Sequence, residues 1–515
     1  MTLISSLNIA QQAITANQAA ITVISNNIAN MDNSSYSRQG ISLSEVINYT
    51  PASGNPISIA NSLSGVEVTE IKRYSNSYLQ KYFWQENTTN EYYKKYASMG
   101  ASVQNYTNEL NDTGLSDAIS KFYDAVDSLN DSAEDYTARQ TYVSAAQNLC
   151  TTFNTYSSSL TELRTSLVGN PTESGSLESS DMAGYTSEVN SLLDQLADIN
   201  FNIIKTNSLN GTSSSSLLDQ RDAIIDELSG YLPVTVAENS NGTMDVSISN
   251  TTLVKGNTVK GYLGLTSGDL DTPAIVNIVD PSNSSIKIKE NINDSINNGS
   301  MGAILDMCGS DSTKYTISGV LDQIDNMAQG FADIMNEIQL STTTGDGTTP
   351  MCLTSDGKAL KVATEALFVS DTGTTTGITA GNITLNADIV SNPYEIAAAR
   401  VTDTTKTSDI SNSTNATAMV ETRNTSYSGL GSSTIEGNLA KIAAEVGTYQ
   451  SKVESSYKTQ TSVLSSVSTQ LAGETGVDLN EELVDLVKFQ RAYQAASRIF
   501  SVCNDLLDDL MNLGK

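Results

Sequence analysis

Side chains able to carry acid–base or nucleophilic chemistry near neutral pH are scarce in this sequence. Histidine is absent, which removes Ser-His-Asp and Cys-His arrangements, the HExxH zinc helix and the usual general base. The four cysteines, Cys150, Cys308, Cys352 and Cys503, lie far apart and form no CxxC pair. Neither a redox motif nor a zinc knuckle is indicated, and buried free thiols are expected. Spacing alone leaves a pairing of Cys308 with Cys352 open. Carboxylate pairs such as Asp508 and Asp509 exist, but adjacent residues on a helix do not face one another. Taken alone, Asp219, Arg221 and Asp222 read as a solvated charge cluster. No catalytic residue, metal ligand or cofactor is expected, and the chain reads as a non-enzyme.

Charge and length narrow the partners. With 28 lysines and arginines against 58 aspartates and glutamates, the net charge is -30, so a nucleic-acid backbone is repelled. No run of about 18 apolar residues occurs, so no membrane span is expected. The opening MTLISSLNIAQQAITANQ lacks the basic region and unbroken apolar stretch of a secretory signal peptide. At 515 residues the chain exceeds one compact core and suggests roughly three or four domains.

The elements that must carry these residues are mostly helical. Leu3, Leu7, Ala10, Ile14, Asn17, Ile21, Ile24 and Ile28 alternate spacings of four and three, the seam of an amphipathic helix. That segment has no charge pairs to hold it, so it depends on burial against a partner. The other end repeats the pattern in Leu479, Leu483, Leu486, Gln490, Tyr493, Ser497, Phe500, Asn504 and Leu507. Val484, Val487, Ala495, Ile499, Val502 and Leu506 add a second stripe, wider than a two-helix seam requires. Two such helices at opposite ends of the chain point to paired termini.

Between them, residues 78–110, 115–129, 136–167, 180–207 and 217–230 read as helices. After Pro233, the run VTVAENSNGTMDVSIS places Asn241-Gly242 between alternating β-branched residues, a hairpin signature. Helical periodicity returns over 315–340. Residues 341–432, rich in Thr, Gly, Asn and Ser, read as an inserted, outward β domain. Helix resumes over 435–471 and, past 473–476, runs to the end. The expected fold is mainly α with inserted β domains: paired coiled-coil-like terminal helices, an elongated helical-bundle body and outward β-rich domains. The expected division is 1–38 with 474–515, 39–232 with 433–473, a β-rich 233–314, a linking helix 315–340 and the insert 341–432.

Ser25-Asn26-Asn27-Ile28-Ala29-Asn30, followed by Tyr36-Ser37-Arg38-Gln39, resembles the N-terminal motif of the flagellar rod, hook and hook-associated axial proteins. The Tyr-Ser-Arg-Gln continuation looks most like the hook-associated branch. VDLNEELVDLVKFQRAYQAASRIFSVCNDLLDDLMNL is similar to the terminal helix of the whole superfamily. Leu217-Leu218-Asp219-Gln220-Arg221-Asp222 resembles the Leu-Asp-Gln-Arg-Asp element that precedes the β domain in hook-associated members. Thr113-Gly114-Leu115 through Phe122, and Arg139, follow that family's helical body. The resemblance covers both ends and most of 60–260, and 341–432 matches nothing nameable. Ser35 stands where the family usually has glycine before Tyr36, although asparagines at a helix end also serve simply as caps.

The resemblance implies an extracellular structural subunit between flagellar hook and filament, exported by the type III route without a cleaved signal peptide. Its assembly seams would be Leu3, Leu7, Ile14, Ile21, Ile24 and Ile28, with Leu479, Leu483, Leu486, Tyr493, Phe500 and Leu507. Its axial motif would be Asn26, Asn27, Asn30, Tyr36, Arg38 and Gln39, and its family element Asp219, Gln220, Arg221 and Asp222. Implied partners are further copies in a ring-forming homo-oligomer, the hook protein, the second hook-filament junction protein and an export chaperone on the C-terminal helix. The rival readings are a hook or rod axial protein and, more distantly, a secreted adhesin.

Overall fold

The computed structural model describes residues 3–46, 65–107, 114–210, 214–269, 272, 274–310, 315–340 and 348–513. Its helices are α1 (Leu3–Ala29), α2 (Ser77–Tyr106), α3 (Leu115–Asp131), α4 (Tyr136–Val168), α5 (Asp181–Asn210), α6 (Ser215–Tyr231), α7 (Gly299–Cys308), α8 (Ile317–Leu340), α9 (Ala387–Ser391), α10 (Thr414–Glu421), α11 (Ile435–Thr475) and α12 (Leu479–Leu513). Strands β1 (Gln39–Val46) and β2 (Gly65–Arg73) form an antiparallel pair beside α1. The helices expected at 78–110, 115–129, 136–167, 180–207, 217–230 and 315–340 are all present. Residues 108–110 of the first, and 341–347 of the insert, lie outside the described residues. The break expected at 473–476 falls later, because α11 runs through Gly473 to Thr475.

Local sequence explains these helices. On α3 the apolar residues recur every three or four positions and bury Leu115, Ile119, Phe122, Val126 and Leu129 on one face. Asn76 caps α2 by accepting from the amides of Tyr78 and Leu79, and Asp135 caps α4 by accepting from Thr137. The Phe122 ring meets Tyr142 and Phe331 at centroid separations of 5.3 Å, joining α3, α4 and α8 into one core. α2 lies along α11 and α7.

The expected hairpin is formed by β3 (Thr235–Glu238) and β4 (Met244–Ile248), with Gly242 at φ 82° in the turn. With β5 (Thr251–Lys255) and β6 (Thr258–Val259) they make a sheet of order β3-β4-β5-β6. β7 (Tyr262–Ser267), β8 (Ala274–Asp280) and β9 (Asn283–Lys289) make a second. The insert divides in two. β10 (Thr349–Leu353), β11 (Leu360–Val362) and β14 (Ala399–Val401) enclose their own small cluster of Met351, Leu353, Leu360 and Ala399. β12 (Phe368–Ser370) and β13 (Ile383–Leu385) instead send Phe368, Ile383 and Leu385 into the main core. The short helices α9 and α10 inside it were not expected from its composition.

A recurrent contact fixes the β elements on the helices. Asn336 of α8 donates from Nδ2 to the Phe368 carbonyl at 2.7 Å and accepts the Phe368 amide at 2.9 Å. On α5, Asn200 does the same to Met244 at 2.9 and 3.1 Å, and Asn190 to Leu263 at 2.8 Å in both directions. Each carboxamide stands in for a peptide group of a neighbouring strand and satisfies buried backbone that no sheet partner reaches.

Replacing Asn336 by alanine strands the buried amide and carbonyl of Phe368, and should cost about 2–4 kcal/mol of stability. Asn26→Ala, on an exposed side chain, should cost less than about 0.5 kcal/mol. Urea unfolding of both variants distinguishes them, and equal losses would remove the special role of the buried carboxamide.

Candidate functional site: the joint between terminal helices and body

α1 and α12 pair along their length, and Asn27 near the end of α1 bonds Glu482 in the first turn of α12, so the pair is antiparallel. Deepest on α1 are Ala10, Ala16, Ala20, Val23, Ile24 and Asn27. Of the expected N-terminal seam, Ile24 is buried, while Leu3, Leu7, Ile14, Ile21 and Ile28 are half-buried at its flanks. On α12 the buried residues are Glu482, Ala496 and Cys503, with Leu486, Tyr493, Phe500 and Leu507 half-buried beside them. Leu479 and Leu483 are exposed. The observed line on α12 is therefore 482, 489, 496, 503, one residue before the 483, 490, 497, 504 positions of the expected seam. Small residues let the two helices approach closely, and the larger side chains flank the contact.

The N-terminal motif separates into two roles. Asn26 and Asn30 cap: the Asn26 carbonyl accepts the Asn30 side chain at 2.8 Å and its amide at 3.1 Å. Asn27, only 1% exposed, works at long range. Its Nδ2 donates to the Gln39 carbonyl (2.9 Å) and to Glu482 Oε2 (3.1 Å), and its Oδ1 accepts the Gln39 amide (3.0 Å) and the Tyr36 hydroxyl (2.8 Å). All four of its hydrogen-bonding positions are filled. Gln39 takes part through its backbone. Ser35 sits at negative φ and donates its amide to Asn33 Oδ1 at 3.1 Å, so serine replaces the family's glycine without strain.

Arg38 joins this group to α12. Its Nε donates to Glu482 Oε1 (2.7 Å), its Nη1 to Glu481 Oε2 (2.9 Å), and its guanidinium lies 5.5 Å from the Tyr74 ring centroid. Burial opposes its charge, yet Glu482 and Glu481 leave its pKa above the ordinary value. Burial, with Asp219 and Glu482 nearby, pushes the Tyr36 phenol up to about 12. Both glutamates sit in the first turn of α12, where the helix dipole favours negative charge.

The element at 219–222 completes the joint. Arg73, at the end of β2, donates from Nε to Asp219 (2.7 Å) and from Nη2 to Asp222 (2.8 Å). Arg221, 2% exposed, holds Asp222 at 2.9 and 2.7 Å and donates to the Gly242 carbonyl. Asp219, Arg221 and Asp222 are thus buried and paired rather than solvated. Gln220 points outward, exposed. Sequence reading missed Arg73 and Glu482. The second is one of an adjacent pair, Glu481-Glu482, and nothing in the sequence distinguishes which of the two turns inward.

Next to this cluster Asp226 accepts from Trp84 Nε1 (2.6 Å) and Gln80 Nε2 (2.8 Å). Burial raises its pKa to about 7, with the Trp84 and Gln80 bonds and Arg73 opposing and Asp222 reinforcing the rise.

Beside the α1 contact line of α12, Val484, Val487, Ile499, Val502 and Leu506 are exposed apolar residues, Val484 at 69% and Val502 at 58%. Among the described residues no helix is long and apolar enough to cross a membrane.

A family model described as the flagellar hook-associated protein FlgK helical domain matches residues 101–350, and one described as the flagellar basal body rod FlgEFG protein C-terminal matches 474–513. The chain is 26% identical to flagellar hook-associated protein 1 of Bacillus subtilis, covering 98% of this chain and 97% of that protein. It is 25% identical to the protein of that name from Salmonella typhimurium, covering 99% and 100%. The solved structure of the flagellar hook junction protein FlgK from Burkholderia pseudomallei aligns with a TM-score of 0.57 at 15% identity, covering 76% of this chain and 99% of that one. At that identity the likeness concerns the fold alone.

Asp226 gives the contact between α2 and α6 a pH dependence. Its folded pKa lies above its unfolded value, so ionisation disfavours the folded state, and stability falls as pH rises from about 4 through about 7. Asp226→Asn keeps an acceptor for Trp84 and Gln80 and removes the charge. Urea titrations should find it more stable than the wild type by about 1–3 kcal/mol at pH 8, with the difference shrinking toward pH 4. A difference independent of pH would contradict the assignment.

Proposed function

As a member of the flagellar hook-associated protein family, the chain is, we infer, a structural subunit of the junction between hook and filament. It is part of the external flagellum and associates with hook and filament components. The observation that carries the assembly mechanism is the set of apolar side chains Val484, Val487, Ile499, Val502 and Leu506, left exposed on a helix that already pairs with α1. Exposed apolar side chains gathered on a paired helix mark a surface made to be buried. Packing it against copies of the same chain gives a ring-forming homo-oligomer. The hook protein and the second hook-filament junction protein are the neighbours above and below, and an export chaperone covers α12 before assembly.

The expected seam residues Leu3, Leu7, Ile14, Ile21, Ile24 and Ile28, with Leu486, Tyr493, Phe500 and Leu507, act within this scheme by holding α1 and α12 together. Leu479 and Leu483 belong to the surface offered to neighbours. The hook or rod reading is less favoured: the rod-protein likeness covers only 474–513, whereas the hook-associated helical domain extends over 101–350. An adhesin accounts for neither.

Val502→Asp tests the stripe. In the free subunit the carboxylate is in water, and the melting temperature should match the wild type. In the assembly it is buried unpaired at a cost of several kcal/mol. Purified Val502→Asp protein added to hooks of cells lacking the gene should fail to restore filaments that wild-type protein restores. Full restoration would show that the stripe is not the assembly surface, and filaments on the untreated deletion strain would overturn the junction role itself.

A further inference from the structure

Arg139 follows the family's helical body in sequence yet takes no part in the joint. It stands in the first turn of α4 and is 1% exposed. Among the described residues its partners are backbone carbonyls, not carboxylates: Nε donates to Ala133 (2.8 Å), and Nη1 to Ile396 (2.7 Å), Pro393 (3.3 Å) and Tyr394 (3.4 Å). Its guanidinium also lies 5.9 Å from the centroid of the Tyr394 ring, which meets the Tyr136 ring at 5.4 Å. Burial lowers its pKa to about 10, with Cys352, Tyr394 and Glu134 opposing the fall, so the cation persists at neutral pH. A buried charge without a counter-ion is tolerated only where hydrogen bonds replace its hydration, and these bonds join two segments that lie far apart in the chain.

The second of these segments is the base of a small sheet. Glu395, in the 3-10 turn Pro393–Glu395, accepts from Lys361 Nζ of β11 at 2.6 Å and from Cys352 Sγ of β10 at 3.6 Å. The Tyr394 ring packs on the cluster of Met351, Leu353, Leu360 and Ala399, which is separate from the main core. Further along, the backbone is anchored by other means. Gln339 of α8 accepts the Ala397 amide at 2.9 Å, and Asn415 of α10 donates to the Ala397 carbonyl at 2.6 Å and accepts Arg400 Nε of β14 at 3.0 Å. Ile396 and Ala398 enter the main core.

We propose that Arg139 is a positioning residue for this sheet: by gathering the carbonyls of Ala133, Pro393, Tyr394 and Ile396 it fixes the turn that carries Tyr394 and Glu395, and through them the tilt of β10, β11 and β14 on the helical body. Without the guanidinium the turn loses its bonds to α4, while the anchors at Ala397 and Arg400 remain. The sheet then rocks about residues 397–400, and the main core keeps its contacts. Shape is required as well as charge, because one planar group must reach carbonyls on both segments. A lysine ammonium reaches one side only. The assignment concerns the helical body and depends neither on the state of the terminal helices nor on the junction reading.

Spin labels on the full-length chain test it. The described cysteines are all buried, so thiols introduced at exposed positions are labelled selectively. Ser144→Cys on α4 with Ser355→Cys in the turn between β10 and β11 reports the tilt, and Ser144→Cys with Ser455→Cys on α11 reports the body. In the wild-type background both pairs should give a single narrow distance distribution. Arg139→Ala should broaden the first at least twofold and leave the second narrow. Arg139→Lys, which keeps the charge, should broaden the first by less, and it carries the test if Arg139→Ala does not fold. Guanidinium chloride far below denaturing concentration should narrow the first distribution of Arg139→Ala again, and sodium chloride at the same concentration should not. An unbroadened first pair overturns the assignment, and so does broadening of both pairs, which is a general loosening of the body. Equal restoration by sodium chloride, or none by guanidinium, overturns it as well.

Discussion

One carboxamide bonded to both peptide groups of a strand residue is the contact on which the arrangement of this chain depends. Asn27, Asn190, Asn200 and Asn336 each make it, from three helices to four separate strands. The strands are short, and their sheets have two to four members, so much of their backbone has no ladder partner. A helix cannot offer main-chain groups sideways, but an asparagine can offer their equivalent. The unpaired alternative costs more than the bond itself contributes, so the contact selects position more than it adds stability.

The same logic, extended to charge, builds the joint. Asn27 has one donor left after serving Gln39, and that donor meets Glu482. Glu482 is 2% exposed, and a carboxylate buried that far needs a paired cation, which Arg38 supplies at 2.7 Å. Arg38 in turn lies on the segment that leads through Ser37 to Asp219. From a single buried asparagine, partners are required in sequence until the terminal helices, the hairpin and α6 are tied together. A joint of this kind is specific in geometry and modest in net energy. It suits a subunit whose assembly surface lies on one side and whose folded core lies on the other.

Much of the architecture was legible because period and punctuation agree. α3 shows its buried face in its spacing, Asn241-Gly242 sits at the hairpin turn, and the terminal seams announce two helices that need partners. What was not legible depends on choices between equivalent faces. α12 carries two apolar stripes, and sequence alone did not reveal that the alanine and cysteine line turns inward while the valines remain outside. Asn200 and Asn336 look like surface residues of their helices, since only the strand they meet gives them meaning. Asp219 and Asp222 read as solvated charge because their partner, Arg73, is 146 positions from the first of them. The insert was read as one outward domain because its composition is uniform, whereas β12 and β13 are drawn into the core by Phe368, Ile383 and Leu385.

Central to this account is a division of labour: the body folds on its own core, and the terminal pair completes its burial only in the assembly. Amide hydrogen exchange, followed by mass spectrometry on the free subunit and on the assembled junction, addresses this directly. In the free subunit α1 and α12 should exchange as a group, well before α3, α4 and α8, and on assembly they should become as protected as the body. Terminal helices already as protected as the core in the free subunit, or unchanged in exchange on assembly, would contradict it.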